Sequence, residues 1–262
     1  FASDLSKKYD VVVLPSGTTR SRMIQGLSSE QYDESWRWAY GIGESGWAEL
    51  KRFVREGGTL VAIGSAVEAA RDLLSLPITP VLPEAPPRFG RGAGRPDERP
   101  DVPAAEVERA FKESFQSPAA LMKALSSRVV DPTSLFYCPG SLLKQEFDVS
   151  HPVGFGMPES WPVFFAFDQA YRLEPSFEIE ARVVSRYPDD PKQVASGWLL
   201  GDELLRRQAN VVRFRVGKGT AVTLGSQVDF RAQTPSTFKL LFNAMVQGPA
   251  TKLSSAELAR LR

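Results

Sequence analysis

The sequence predicts an α/β domain on a doubly wound sheet, and three observations carry that reading. Val11-Val12-Val13-Leu14 and Thr59-Leu60-Val61-Ala62-Ile63 are continuous apolar runs, the pattern of strands buried on both faces of a parallel sheet. Between them Trp47, Leu50, Phe53 and Val54 recur at helical spacing, and Gly57-Gly58 supplies a left-handed C-cap. The second run then enters a helix of small residues over 65–74. Strand, helix, Gly-Gly, strand, helix is the rhythm of a doubly wound sheet.

The remaining elements follow in order. Pro15-Ser16-Gly17 closes the first run as a turn, and a polar loop rich in Ser and Arg extends to about Asp33. At residues 83–103 the rhythm stops. Six prolines and four arginines, with Gly90, Gly92 and Gly94, mark a mobile surface insertion. An RGG-like nucleic-acid arm is the sharper alternative, but Asp97, Glu98 and Asp101 dilute its charge and only Phe89 is there to stack. Residues 104–127 read as one or two helices, broken near Pro118. The second half is richer in strands, at 135–138, 141–147, 163–167 and 178–187. Residues 210–216 and 220–225, joined by Gly217-Lys218-Gly219, form a hairpin or strand pair. Residues 235–246 form a terminal helix whose stripe of Phe238, Leu241, Phe242 and Met245 packs on the sheet. Ser254-Ser255-Ala256-Glu257 is a capping box that opens a short tail helix. The organisation is one domain over 1–248 and a tail over 249–262.

Composition narrows the function classes. Across 262 residues, 32 Lys and Arg balance 31 Asp and Glu for a net charge of +1, which argues against a nucleic-acid or polybasic membrane binder, since that kind of binding needs a concentrated positive field. No nucleic-acid partner is expected. A single Cys excludes an internal disulfide framework, and one His with one Cys cannot build an ordinary zinc site. No stretch approaches the roughly 18 to 20 apolar residues of a membrane span, and the opening residues do not read as a signal peptide.

A resemblance can be stated on particular strings. Gly46-Trp47-x-x-Leu50-x-x-Phe53-Val54-x-x-Gly57-Gly58-Thr59-Leu60-Val61-Ala62-Ile63-Gly64 resembles the strand-and-elbow unit of class I glutamine-amidotransferase-like domains. A later run is more specific: Gly197-Trp198-Leu199-Leu200-Gly201, then Gly217-Lys218-Gly219 and Leu224-Gly225, then Phe230-Arg231-Ala232-Gln233 and Phe238-Lys239-Leu240-Leu241-Phe242-Asn243-Ala244, and it is taken with His151-Pro152-Val153-Gly154-Phe155-Gly156-Met157-Pro158. Together they resemble the non-peptidase C-terminal region of bacterial zinc carboxypeptidase proteins of the carboxypeptidase A type. The resemblance spans roughly residues 9–248, apart from the Pro/Arg loop. It implies a flavodoxin-like, amidotransferase-like sheet flanked by helices, with a strand-rich C-terminal half. It also implies a chain that lacks its first strand and helix and belongs to a larger, periplasmic or extracellular protein. Zinc is then expected only in an upstream peptidase domain, with no cofactor in this segment. The implied partners are that catalytic domain and a second copy of the chain.

The chemistry is weighed residue by residue. An amidotransferase needs a Cys on a tight strand-to-helix turn, a His to take its proton and a carboxylate to orient the His. The turn here reads Gly64-Ser65-Ala66-Val67-Glu68, without Cys and without the second Gly of an elbow. Ser65 is either a degenerate nucleophile or a helix N-cap. His151, the one possible general base, either serves Ser65 or Cys138 or merely orients its own loop by hydrogen bonds. Cys138, before Pro139-Gly140, reads as a core thiol at a strand end. A zinc peptidase needs H-x-x-E and a distant His, and no such set is present, so no metal site is expected. Asp189-Asp190 and Asp202-Glu203 read as solvated pairs rather than an acid-base or hard-cation site. Gly217-Lys218-Gly219 lacks the spacing of a phosphate loop.

Binding residues are the last candidates. Trp36, Trp38 and Tyr40 alternate in a polar neighbourhood, either to stack on a sugar or partner or to pack beneath a loop. Arg231 either clamps a carboxylate bidentately or pairs internally to hold the terminal helix. The expectation is a non-catalytic accessory domain that supports packing, dimerisation or substrate presentation. A degenerate Ser/His hydrolase and a carbohydrate- or peptide-binding module are the alternatives.

Overall fold

The structure, a computed structural model, describes residues 4–26, 35, 39–82, 136–166 and 168–250. The insertion expected at 83–103, the helices expected over 104–127, the tail helix, Trp36 and Trp38 lie outside these residues. Among the described residues ten strands make one mixed, curled sheet flanked by helices, which is the α/β class. They are β1 (Val11–Leu14), β2 (Thr59–Ile63), β3 (Ile78–Pro80), β4 (Ser141–Phe147), β5 (Ser160–Phe165), β6 (Tyr171–Leu173), β7 (Glu180–Arg186), β8 (Val194–Ser196), β9 (Ala209–Val216) and β10 (Gly219–Leu224). The helices are α1 (Arg20–Gln25), α2 (Gly43–Glu56), α3 (Ala66–Leu74) and a terminal helix, α4 (Phe238–Gln247).

The main sheet order is β1-β2-β10-β9-β7-β4-β5. Parallel pairing is confined to β1 with β2 and β2 with β10; β10 with β9, β9 with β7, and β7 with β4 are antiparallel. The doubly wound expectation therefore holds for one end of the sheet and fails for the rest. The reason is local: a parallel neighbour needs a long crossover, whereas β9 and β10 are joined by two residues, Gly217-Lys218. Gly217 has φ of +60°, and its would-be Cβ lies 2.7 Å from the Arg55 carbonyl oxygen. The Lys218 amide donates to that same oxygen, so the hairpin turn is tucked beneath the end of α2.

Burial follows the alternation of each strand. Leu60 and Ala62 face a core shared with Trp47, Leu50 and Phe53 of α2 and with Val67 and Leu73 of α3. Val61 and Ile63 face a second core with Val222, Leu224 and the α4 residues Leu240 and Ala244. A third cluster gathers Cys138, Leu143, Phe165, Tyr187 and Leu205.

Several expectations need correction. β1 is half-buried over residues 11–13 because it closes the sheet with β2 as its strand neighbour, rather than lying inside it. The polar loop contains α1, capped by the Thr19 hydroxyl, which accepts from the Arg22 amide. Residues 136–138 form no strand; Tyr137 makes one isolated bridge to Leu200. The buried face of α4 is Leu240 and Ala244, while Phe242 is 60% exposed. A 3-10 turn, Pro235–Thr237, precedes α4 and sets the angle at which it lands. Among the described residues no helix is long and apolar enough to cross a membrane.

Candidate functional site

Because β1, β2 and β10 run parallel, their C-terminal ends share one edge of the sheet, where open α/β sheets place their ligands. Gly64, after β2, has φ of +55°, and a Cβ there would stand 2.7 Å from Ser16 Oγ. The chain needs glycine at that point to bring the β2 turn against the β1 loop. Ser65 follows in ordinary helical geometry, φ −65° and ψ −15°, and makes no side-chain capping bond to α3. Its Oγ instead accepts the Gly17 amide at 2.8 Å and lies 3.4 Å from Ser16 Oγ. Ser65 occupies the N-cap position but acts as a tie between two loops. On the other side of Gly64, Gln227 donates through Nε2 to Asp168 Oδ1 at 3.0 Å, and Asp168 Oδ2 accepts the Ala166 amide. The crest is therefore polar, built of hydroxyls, an amide and one carboxylate.

His151 belongs to different surroundings. It precedes the 3-10 turn Pro152–Gly154, and its Nδ1 accepts the Val153 amide at 3.2 Å. The neighbouring carbonyls of Val153 and Phe155 are held by Nδ2 of Asn243 on α4. Burial pushes the imidazole below its usual 6.5; Asp148 opposes this, and Arg213 and Arg182 add to it. Asp148 is itself held below the usual carboxylate range by the Ser150 hydroxyl and by Arg182. Among the described residues no hydrogen bond joins His151 to Ser65 or to Cys138. Cys138 is 2% exposed, burial raises its pKa, and its weak bond goes to the Phe165 carbonyl 3.9 Å away.

The other candidates are also accounted for. Arg231 has φ of +49° and is exposed, with its guanidinium 5.3 Å from the Phe230 ring, which stacks on Phe164 at 4.7 Å. It forms no ion pair among the described residues. The start of α4 is held instead by Thr237, whose hydroxyl donates to the Val228 carbonyl. Tyr40 is half-buried and bridges to Gly26. Asp189 pairs with Arg207 and Asp202 with Arg206, both as solvent-accessible surface ion pairs. Among the described residues no group of three or more His, Cys, Asp or Glu could hold a metal ion.

The residues that sequence reasoning passed over are Arg213 and Arg215. Two arginines two positions apart in a mostly apolar strand must share one face, and that spacing was the available signal.

No family model matches the sequence, and no curated protein matches it. Among solved structures, the chain is similar to a cytoplasmic protein from Salmonella typhimurium at 13% identity, covering 93% of this chain and 73% of that one, with a TM-score of 0.45. It is similar to a ThuA-like protein from Bacteroides uniformis at 14% identity, over 91% and 68% of the two chains, with a TM-score of 0.35. A β-galactosidase from Bacillus circulans sp. alkalophilus is similar over 94% of this chain and 23% of its own, at 13% identity and a TM-score of 0.43.

Proposed function

We propose that this chain is a non-catalytic accessory domain, one that packs and binds rather than turns over a substrate. One observation carries this reading: the Ser65 oxygen is engaged by the Gly17 amide, and the chain's single imidazole has a separate set of partners. A serine nucleophile needs a base within hydrogen-bond reach and a strained turn that presents its oxygen. Ser65 has neither. The strings at 151–158 and 197–244 further support a place within a larger protein resembling a zinc metallocarboxypeptidase. There the domain serves packing against the catalytic domain, dimerisation or substrate presentation, and the zinc belongs to that other domain.

The test is a panel of p-nitrophenyl esters and aryl amides offered to the wild-type chain, Ser65→Ala and His151→Asn. All three proteins should match buffer. Turnover by the wild type that is lost in both variants overturns the reading. For the parent protein, an H-x-x-E pair with a later His in the coding region before this segment supports the placement, and its absence removes it.

A further inference from the structure

A second feature lies at the opposite edge of the sheet from Ser65. An open cleft of about 960 Å³ separates the last turn of α4 from the β9–β10 hairpin. Strand alternation builds its floor. Val212, Phe214 and Val216 point into the α2/α3 core, so Val211, Arg213 and Arg215 point to the other face. Val211 is covered by the core under α4, whereas Arg213 and Arg215 line the open cleft. Lys218, in the hairpin turn, adds a third cation, and among the described residues no carboxylate lines the cleft.

Arg213 is the informative residue. Its side chain is only 15% exposed, its Nε is buried without a hydrogen-bond partner, and its nearest carboxylate, Glu180, is 3.7 Å from Nη1. A guanidinium removed from water without full pairing is costly, so a buried, half-satisfied arginine facing an open cavity is a group awaiting an anion. Asp148 is already engaged by Ser150 and Arg182, which leaves Glu180 as the local counter-charge. No hydrogen bond among the described residues joins the three cations to the last carbonyls of α4, so capping that helix does not explain them. Gln247 contributes a second buried group without a partner, its Oε1. The facing wall is apolar and wet: Phe155 is 73% exposed and Val246 is 69% exposed.

We propose that this cleft binds an amphiphilic anion, a molecule with a phosphate or carboxylate head and an apolar body. The head pairs with Arg213, Arg215 and Lys218, a hydroxyl or protonated oxygen donates to Gln247 Oε1, and the body lies against Phe155 and Val246. The site is separate from the crest and stands whether or not the non-catalytic reading holds.

The probe is phenyl phosphate, followed by backbone amide NMR, with inorganic phosphate and phenol as its two halves. Saturable shifts at the Ser150, Thr220 and Gly248 amides are expected, with each half binding about tenfold more weakly. Arg213→Gln should weaken binding about tenfold, the loss of one charge-assisted hydrogen bond. Lys218→Gln changes an exposed turn residue, so it leaves the fold intact and should weaken binding in the same direction. No saturation at millimolar phenyl phosphate, or binding indifferent to both substitutions, overturns the site. Inorganic phosphate that binds as tightly as phenyl phosphate overturns its amphiphilic character. Sedimentation with phosphatidylglycerol vesicles tells the two sources apart: retention lost in Arg213→Gln identifies a lipid head group, and no retention identifies a soluble molecule.

Discussion

Gly64 and Ser65 show how two adjacent residues divide the work of a turn. Glycine supplies the positive φ and the bare Cα that Ser16 requires, and the serine hydroxyl then fastens the loop that arrives. Gly64→Ala forces a Cβ into that contact and should cost about 1–3 kcal/mol in urea unfolding. Ser65→Ala gives up one exposed hydrogen bond, which should cost about 1 kcal/mol or less. His151 makes a pH-dependent contribution whose sign is set by burial. Its folded pKa lies below 6.5, so the unfolded chain takes up the proton first as the solution is acidified. The corresponding stability is complete above about 6.5 and is lost as pH falls from there towards the folded midpoint. Unfolding midpoints from pH 7.5 to 5 should therefore decline in the wild type and flatten in His151→Asn. Lowered carboxylates such as Asp148 act only at more acidic pH.

At the scale of elements, α4 separates what a pattern says from what packing decides. Leu240→Ala should destabilise by about 2–5 kcal/mol, whereas Phe242→Ala should stay within about 0.5 kcal/mol. Equal effects at the two positions would restore the stripe that periodicity predicts. Where an element was long and its environment uniform, the sequence sufficed: β2, β4, β9 and β10 lie within a residue or two of their expected places, and α2 covers the expected Trp47–Val54 stripe. β3, β6 and β8 have three residues each, too few for a period to register. α1 was hidden because its six residues, Arg20–Gln25, are too few to show a period, with only Met23 and Ile24 partly buried, and its signal is one capping threonine. At the crest, the absence of Cys from the Gly64-Ser65 turn was legible in the sequence, but the Gly17–Ser65 bond joins residues 48 apart and no spacing announces it. The cationic cleft was half-written in the arginine alternation. What the sequence lacked was the position of the α4 end, which decides that those side chains face an opening instead of a core.

For the molecule as a whole, the two principal cores are opposite faces of the same strands: Leu60 and Ala62 serve one, Val61 and Ile63 the other. Loosening one face strips the support of the other, so the described domain should unfold as a unit. Far-UV circular dichroism and the reactivity of the buried Cys138 thiol should trace one urea transition with a common midpoint. Thiol reactivity that precedes the loss of ellipticity would show that the third cluster opens separately.

The parallel seam between β2 and β10 has a temporal consequence. It joins residues 59–63 to residues 220–224, whereas β9 and β10 meet across a two-residue turn and β7 with β9 across a modest stretch of chain. Contacts between distant parts of a chain carry the larger closure entropy and arrive late. The antiparallel sheet is thus the template, and β2, bringing β1, α2 and α3, attaches afterwards. In pulse-labelled hydrogen exchange during refolding, amides of β7 and β9 should gain protection before those of β1 and β2. Until that attachment the free edge of β10 is a row of unpaired backbone groups, and the time this intermediate survives sets how readily the chain self-associates as it folds.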